Sequence, residues 1–279
     1  MLKKAGRSLV VTYLIILAFA GCRTENGEKT ADTAADPANG TSQVINYGVV
    51  KTYPHDTTAF TEGLLFHQGK LYESTGSPED LPQTLSLIGE VDLNTGKINK
   101  QVELDRTKYF GEGIVFLNGE LYQLTYKAKI GFIYDAATFR QTGTFPIPSA
   151  EGWGLTTDGT HLIMSDGTQK LTFLDTATYA PVKTLEVYDQ NGGVMQLNEL
   201  EFIHGFIYAN IYTTPLIAKI DPKTGQVVGK LELTSLANDA KSRYPGALEL
   251  NGIAFDPATQ QVYVTGKLWP AIYQIQFDY

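Results

Sequence analysis

From about residue 44 onward, short apolar runs alternate with turn-forming clusters, and the pattern recurs five times. The copies are "FTEGLLFHQGKLYESTG" (60–76), "FGEGIVFLNGELYQLTY" (110–126), "EGWGLTTDGTHLIMSDG" (151–167), "LNELEFIHGFIYANIYT" (197–213) and "LNGIAFDPATQQVYVTG" (250–266). Each reads as a β-hairpin, an apolar strand followed by a tight turn and a second strand. Aligning Leu64, Ile114, Leu155, Leu200 and Ile253 gives steps of 50, 41, 45 and 53 residues, a period typical of propellers and solenoids. Four copies continue into a second motif: "IGEVDLNTGKI", "GFIYDAATFRQ", "LTFLDTATYAPV" and "IAKIDPKTGQVV". In each, an apolar strand runs into Asp92, Asp135, Asp175 or Asp221, then a turn containing Thr and another strand, which makes four strands per repeat.

No segment after residue 43 sustains a 3.6-residue period over helix length, which argues against helical solenoids and parallel α/β folds. The insertion "TSLANDAKSRYPGA" allows one helical turn. The fifth copy ends at "AIYQIQFDY", one strand short, while "QVINYGVVKTYPH" (43–55) offers a spare strand at the other end. The pattern therefore predicts an all-β fold, a five-bladed β-propeller whose ring is closed by the N-terminal strand completing the last blade. Closure also protects the sheet edges.

The N-terminus carries an address instead of a fold. Lys3, Lys4 and Arg7 precede "SLVVTYLIILAFAGC", an apolar run too short to span a bilayer and ending in small residues, so residues 1–21 read as an export signal. Cys22 is the only cysteine, and it stands where a bacterial lipoprotein signal places its lipidated residue; the alternative is an ordinary cleavage site with a chance cysteine. The lipid reading makes this an exported, periplasmic or outer-membrane-associated lipoprotein that meets the membrane through its anchor only, with no thiol left for a disulfide. Residues 23–43 lack large apolar side chains and should form a flexible tether. The domain plan is thus 1–21 signal, 22–43 lipidated cysteine and tether, 44–279 propeller.

Composition narrows the function. With 279 residues, 43% hydrophobic, the chain can bury one sizeable core. Its 22 Lys+Arg against 30 Asp+Glu give a formal charge of −8, so no basic field exists for nucleic acid. His55, His67, His161 and His204 stand singly, the last three at hairpin turns, which disfavours a metal site. No P-loop, G-x-S-x-G or dinucleotide fingerprint is present.

In a propeller the first strand of each blade lines the axis, so the residues just ahead of these strands converge at one mouth. They are Phe60 and Glu62, Phe110 and Glu112, Glu151 and Trp153, Asn198 and Glu199, and Asn251. Such a group of polar and aromatic residues makes a pocket for a small molecule or a peptide end. The same residues could instead staple neighbouring blades by bonding strand-end backbone, Glu62 and Glu199 foremost. The recurring Asp residues read as turn formers. Two functional classes are open on these residues: a non-catalytic ligand- or protein-binding lipoprotein, and a glycoside hydrolase using Glu62 and Glu112.

The motifs "FTEGL", "YESTG", "YFGEGI", "LYQLTYK", "EGWGLTTDG", "SDG", "LNELE", "YANIY", "LNGIAF" and "VTGKLWP", in order from residue 44 to 279, together resemble the plant and bacterial type of glutaminyl-peptide cyclotransferase. The resemblance implies a five-bladed propeller, a monomeric acyltransferase without metal or cofactor. Its substrates would be peptides or proteins with N-terminal glutamine, which it converts to pyroglutamate with release of ammonia. The α-amine attacks the γ-carboxamide carbon of its own residue, so the enzyme must mainly fix a rotamer and move protons.

The family's proton-shuttling glutamate falls at Glu112. Trp153 matches the aromatic that packs on substrate, with Phe60 and Phe110 as walls and Glu62, Gln123, Tyr126 and Tyr212 as further substrate-binding positions. Asn198 and Lys267 match catalytic polar residues, expected to bind the γ-carboxamide oxygen and to hold the catalytic carboxylate. The glycines flanking Glu112 should admit the substrate backbone and permit an unusual turn. Tyr126 and Tyr212 depart from the tryptophan commoner in the family, and Glu62 stands where plant members often carry glutamine.

Overall fold

The computed structural model describes residues 42–279. The expected signal, Cys22 and nearly all of the tether lie outside the described residues. Five four-stranded sheets follow one another along the chain, each with sequential strands in antiparallel order. Blade 1 comprises Phe60–His67, Lys70–Gly76, Leu87–Asp92 and Lys97–Glu103, and blade 2 Gly111–Leu117, Glu120–Thr125, Ile130–Asp135 and Gln141–Pro146. Blade 3 is Leu155–Thr157, His161–Ser165, Lys170–Asp175 and Pro181–Glu186; blade 4 is Leu197–Ile203, Phe206–Ile211, Leu216–Ile220 and Val227–Glu232. Blade 5 takes Leu250–Asp256, Gln261–Gly266 and Ala271–Phe277 from the C-terminus and its outer strand, Tyr47–Pro54, from the N-terminus. The first strand of every blade touches those of its two neighbours, which closes the ring.

The apolar runs of the inner strands are explained by this packing. Strand side chains alternate between two faces, and in a ring both faces meet another blade. Leu64 packs with Ala254, Tyr263 and Ile272 of blade 5, whereas Leu65 packs with Ile114 and Leu121 of blade 2. Val115, one residue after Ile114, joins the next interface with Leu155 and Met164 of blade 3. A strand buried on both faces must be apolar throughout, as "GLLF" and "GIVF" are.

The recurring aspartates close the outer turns as expected. The Oδ1 atoms of Asp92, Asp135, Asp175 and Asp221 accept backbone N–H bonds from Asn94, Thr138, Thr178 and Lys223 at 2.8–2.9 Å. Three features exceed the sequence reading. Gln43–Val44 adds a parallel strand to the outer edge of blade 4, a small hairpin (Tyr188–Asp189 with Gly192–Gly193) links blades 3 and 4, and the expected helical turn is a helix, Thr234–Arg243.

Four inner strands break register at their entrance. Pairing slips between Thr61 and Gly63, Gly111 and Ile114, Leu197 and Leu200, and Leu250 and Ile253. Each slip is a β-bulge, which adds a residue and re-aims side chains. The residues caught in them are Glu62, Glu112, Asn198 with Glu199, and Asn251. Gly113, in the second bulge, donates its N–H to the Trp153 carbonyl at 2.8 Å. A Cβ there would stand 2.5 Å from the Leu155 nitrogen. The glycine is therefore required by a neighbouring blade's backbone, not by substrate, and neither Gly111 nor Gly113 adopts positive φ; the expected unusual turn at Glu112 is a bulge.

Candidate active site

The bulges open onto a cavity of about 170 Å³ at the mouth of the ring. That is small beside the roughly 300–1,000 Å³ of pockets for drug-sized ligands, and suits a single residue. Its floor is polar and buried: Glu62, Glu112, Asn198 and Lys267 are each at most 5% exposed. Its walls are half-buried aromatics from four blades: Phe60, Phe110 and Tyr126 on one side, Trp153 and Tyr212 on the other. The rings stack edge to face, Phe60 on Phe110 at 6.1 Å and Trp153 on Tyr212 at 5.6 Å between centroids.

Lys267 follows the second strand of blade 5, where the next residue, Leu268, takes φ 59°. Its ammonium forms an ion pair with Glu62 Oε1 and sits 4.2 Å from the Phe60 ring centroid. Glu62 Oε2 accepts a bond from the Asn251 amide at 3.2 Å. Glu112 lines the same cavity as Glu62, close enough for each acid to act on the other's ionisation. Burial pushes the Glu112 carboxyl well above the usual carboxylate range, and the adjacent Glu62 pushes it further. Burial raises Glu62 too, but the Lys267 ammonium pulls the other way. Within the pair Glu62 therefore carries the charge and Glu112 the proton.

The other groups are held from behind. Ser74 Oγ donates to the Glu112 carbonyl at 2.6 Å. The Trp153 indole N–H donates to Glu151 Oε2 at 3.0 Å, and its ring lies flat over Gly167, where a Cβ would come within 2.7 Å. Asn198 Oδ1 has no hydrogen-bond partner among the described residues although it is buried.

The chain matches the family model for glutamine cyclotransferase over residues 14–277. It is 41% identical over 231 residues to the glutaminyl-peptide cyclotransferase of Arabidopsis thaliana, spanning 82% of this chain and 70% of that relative. The chain belongs to the glutamine cyclotransferase family of enzymes. The crystal structure of Myxococcus xanthus glutaminyl cyclase superposes with a TM-score of 0.75 at 33% identity, covering 85% of this chain and 98% of that one.

Of the cyclotransferase-like positions read from sequence, nine line the cavity: Phe60, Glu62, Phe110, Glu112, Tyr126, Trp153, Asn198, Tyr212 and Lys267. Gln123 does not reach it. Its amide donates to Ser74 Oγ at 3.2 Å and accepts from the Tyr134 hydroxyl at 3.1 Å, so it braces the serine that holds the Glu112 backbone. Lys267 was expected on the catalytic carboxylate, and it is instead paired with Glu62, the nearer acid. Glu62 is thus a cavity residue, whereas Glu199 is a staple, accepting from the Leu64 and Ile253 amides at 3.2 and 2.8 Å.

Asn251 and Glu151, aligned at the mouth without a role, prove to hold Glu62 and Trp153. Sequence reasoning missed the buried pair of His55 Nε2 with Glu73 at 3.0 Å, which joins the closing strand's end to blade 1. No periodicity links those two positions. His67 stacks on Phe116 at 3.9 Å and His161 bonds Asp158, both away from the cavity. Among the described residues no cluster of His, Cys, Asp and Glu has a metal-binding arrangement.

Proposed function

We propose that this chain cyclises the N-terminal glutamine of peptides or proteins to pyroglutamate, releasing ammonia, by carboxylate-mediated proton transfer without a metal. The observation that carries the reading is a carboxyl group, Glu112, buried beside a charge-compensated partner in a cavity sized for one residue. Family membership supports the reaction class.

The glutamine side chain enters between the aromatic walls, and the α-amine meets Glu112. The enzyme is active once Glu112 has released its resting proton to solvent, and the carboxylate then takes a proton from the neutral attacking amine while the new N–C bond forms at the γ-carboxamide carbon. Glu112 then gives that proton to the departing nitrogen as the old C–N bond breaks, and ammonia leaves with the enzyme's proton count unchanged. A carboxyl raised toward the working pH serves both steps better than an ordinary one, a contribution of roughly 10²- to 10⁴-fold. The Asn198 side chain lines the cavity, and its N–H supplies the donor for the γ-carboxamide oxygen as negative charge develops, while its unpartnered Oδ1 is free to accept from the substrate's NH2. Lys267 and Asn251 keep Glu62 charged and in place, which holds the proton on Glu112 in the empty site.

The donor set fits this chemistry without a cation. Of the cavity's two carboxyls, Glu62 already carries the Lys267 ammonium, and burial pushes Glu112 toward its neutral form, a poor cation ligand. A glycosidase reading fits less well, because a cavity of about 170 Å³ holds a single residue and offers no groove for the sugar rings that two carboxyls would have to flank. The test is to incubate the purified protein with a Gln-initiated peptide and measure ammonia and the matching mass loss. Turnover should exceed the spontaneous rate and survive EDTA; no excess would refute the activity, and loss with EDTA would refute metal independence.

A further inference from the structure

Beside the active-site cavity lies a second one, of about 230 Å³, to which the reaction above assigns no task. The two are separated by shared chain. Tyr212 lines the first, and the next residues, Thr213 and Thr214, line the second. Lys267 lines the first; its backbone N–H donates to the Glu249 carbonyl at 2.9 Å and its carbonyl accepts from Leu248 at 2.9 Å, both residues of the second wall. The far side is the helix Thr234–Arg243, which contributes Asn238 and Lys241. That helix is inserted between blades 4 and 5, outside the four-strand repeat.

The second cavity has a charged inner end and an oppositely charged outer wall. Glu249 is half-buried and Lys241 exposed, and neither has an ion-pair partner among the described residues. Glu249 also acts on the first cavity. Burial pushes the Tyr212 hydroxyl up to about 12, with the Glu249 carboxylate the next cause. Glu249 adds to the upward push on Glu62 as well.

A peptide whose first residue fills the active-site cavity must leave through the mouth. Successive Cα atoms are about 3.8 Å apart, so the second residue emerges directly beside the first cavity. We propose that the second cavity receives the residue following glutamine, and that half-buried Glu249, screened less by solvent than the exposed Lys241 on the outer wall, makes the enzyme prefer a cationic side chain over an anionic one there. The inference rests on the proposed cyclisation.

The test uses three peptides that differ only at the second position, with Lys, Ala or Glu, turned over by the native protein and by Glu249→Gln. The native enzyme should favour Lys over Glu roughly tenfold in kcat/KM, mainly through KM, as expected for one partly exposed charge acting on opposite signs. The ratio should approach one in Glu249→Gln, and in the native enzyme at about 1 M salt, where such charges are screened. The ratio is insensitive to any uniform effect of the substitution on chemistry. A native ratio near one, or one unchanged by both salt and substitution, overturns the subsite. Failure of the native enzyme to turn over any of the three overturns the cyclisation reading instead.

Discussion

At the level of single residues, the site is organised by which of two neighbouring acids keeps its proton. Glu112 is pushed up by burial and then by Glu62, and pulled down by Lys267. Removing either neighbour should therefore move Glu112 in opposite directions. In Glu62→Gln the repulsion is gone and the ammonium is left to Glu112, so Glu112 ionises more readily and the acid limb of the kcat/KM profile should shift to lower pH. In Lys267→Met the attraction is gone, both carboxyls rise, and the limb should shift to higher pH with a reduced maximum. The substrate amine, which titrates near pH 7.7 to 8.0, is common to both profiles and cannot produce opposite shifts. Shifts in the same direction would contradict the assignment of charge within the pair.

At the level of elements, the bulges at the inner-strand entrances turn a structural repeat into a site. An ideal strand would bury Glu62, Glu112 and Asn198 between blades or hide them in a ladder; the register slips turn these three to the cavity and Asn251 onto Glu62. Gly113→Ala should test how tightly this geometry is held. The added methyl meets blade-3 backbone at 2.5 Å, which cannot yield as a flexible side chain would. A loss of about 2 kcal/mol or more is expected, read as a lower denaturant midpoint at unchanged m-value. A neutral substitution would mean that the contact between blades 2 and 3 is looser than described. The sequence carried the blades, because two-sided burial leaves an apolar run that is visible in a single strand. It carried the mouth residues through their place ahead of those runs. Who bonds whom was hidden, since Lys267 with Glu62 and His55 with Glu73 depend on how blades approach each other. Gln123 was misplaced for the same reason: its motif was right, but its side chain points behind the wall.

At the level of the whole molecule, the ring is closed by chain termini, Tyr47–Pro54 completing the sheet that ends the chain. Removing residues 42–54 would leave blade 5 with an open edge and expose the interface around Ile272 and Tyr263. The shortened chain should lose its cooperative unfolding transition or become insoluble; an unchanged transition would show that closure contributes little. Only a closed ring brings Glu62, Glu112, Asn198 and Lys267, from four different blades, to one cavity. The central claim is that this convergence exists to move a proton through Glu112. It is tested most directly by the rate of ammonia release from a Gln-initiated peptide by Glu112→Gln beside the native protein. The amide keeps the shape but cannot exchange a proton, so a fall of roughly 10²-fold or more is expected with the unfolding midpoint preserved, whereas a rate near the native one would contradict the account.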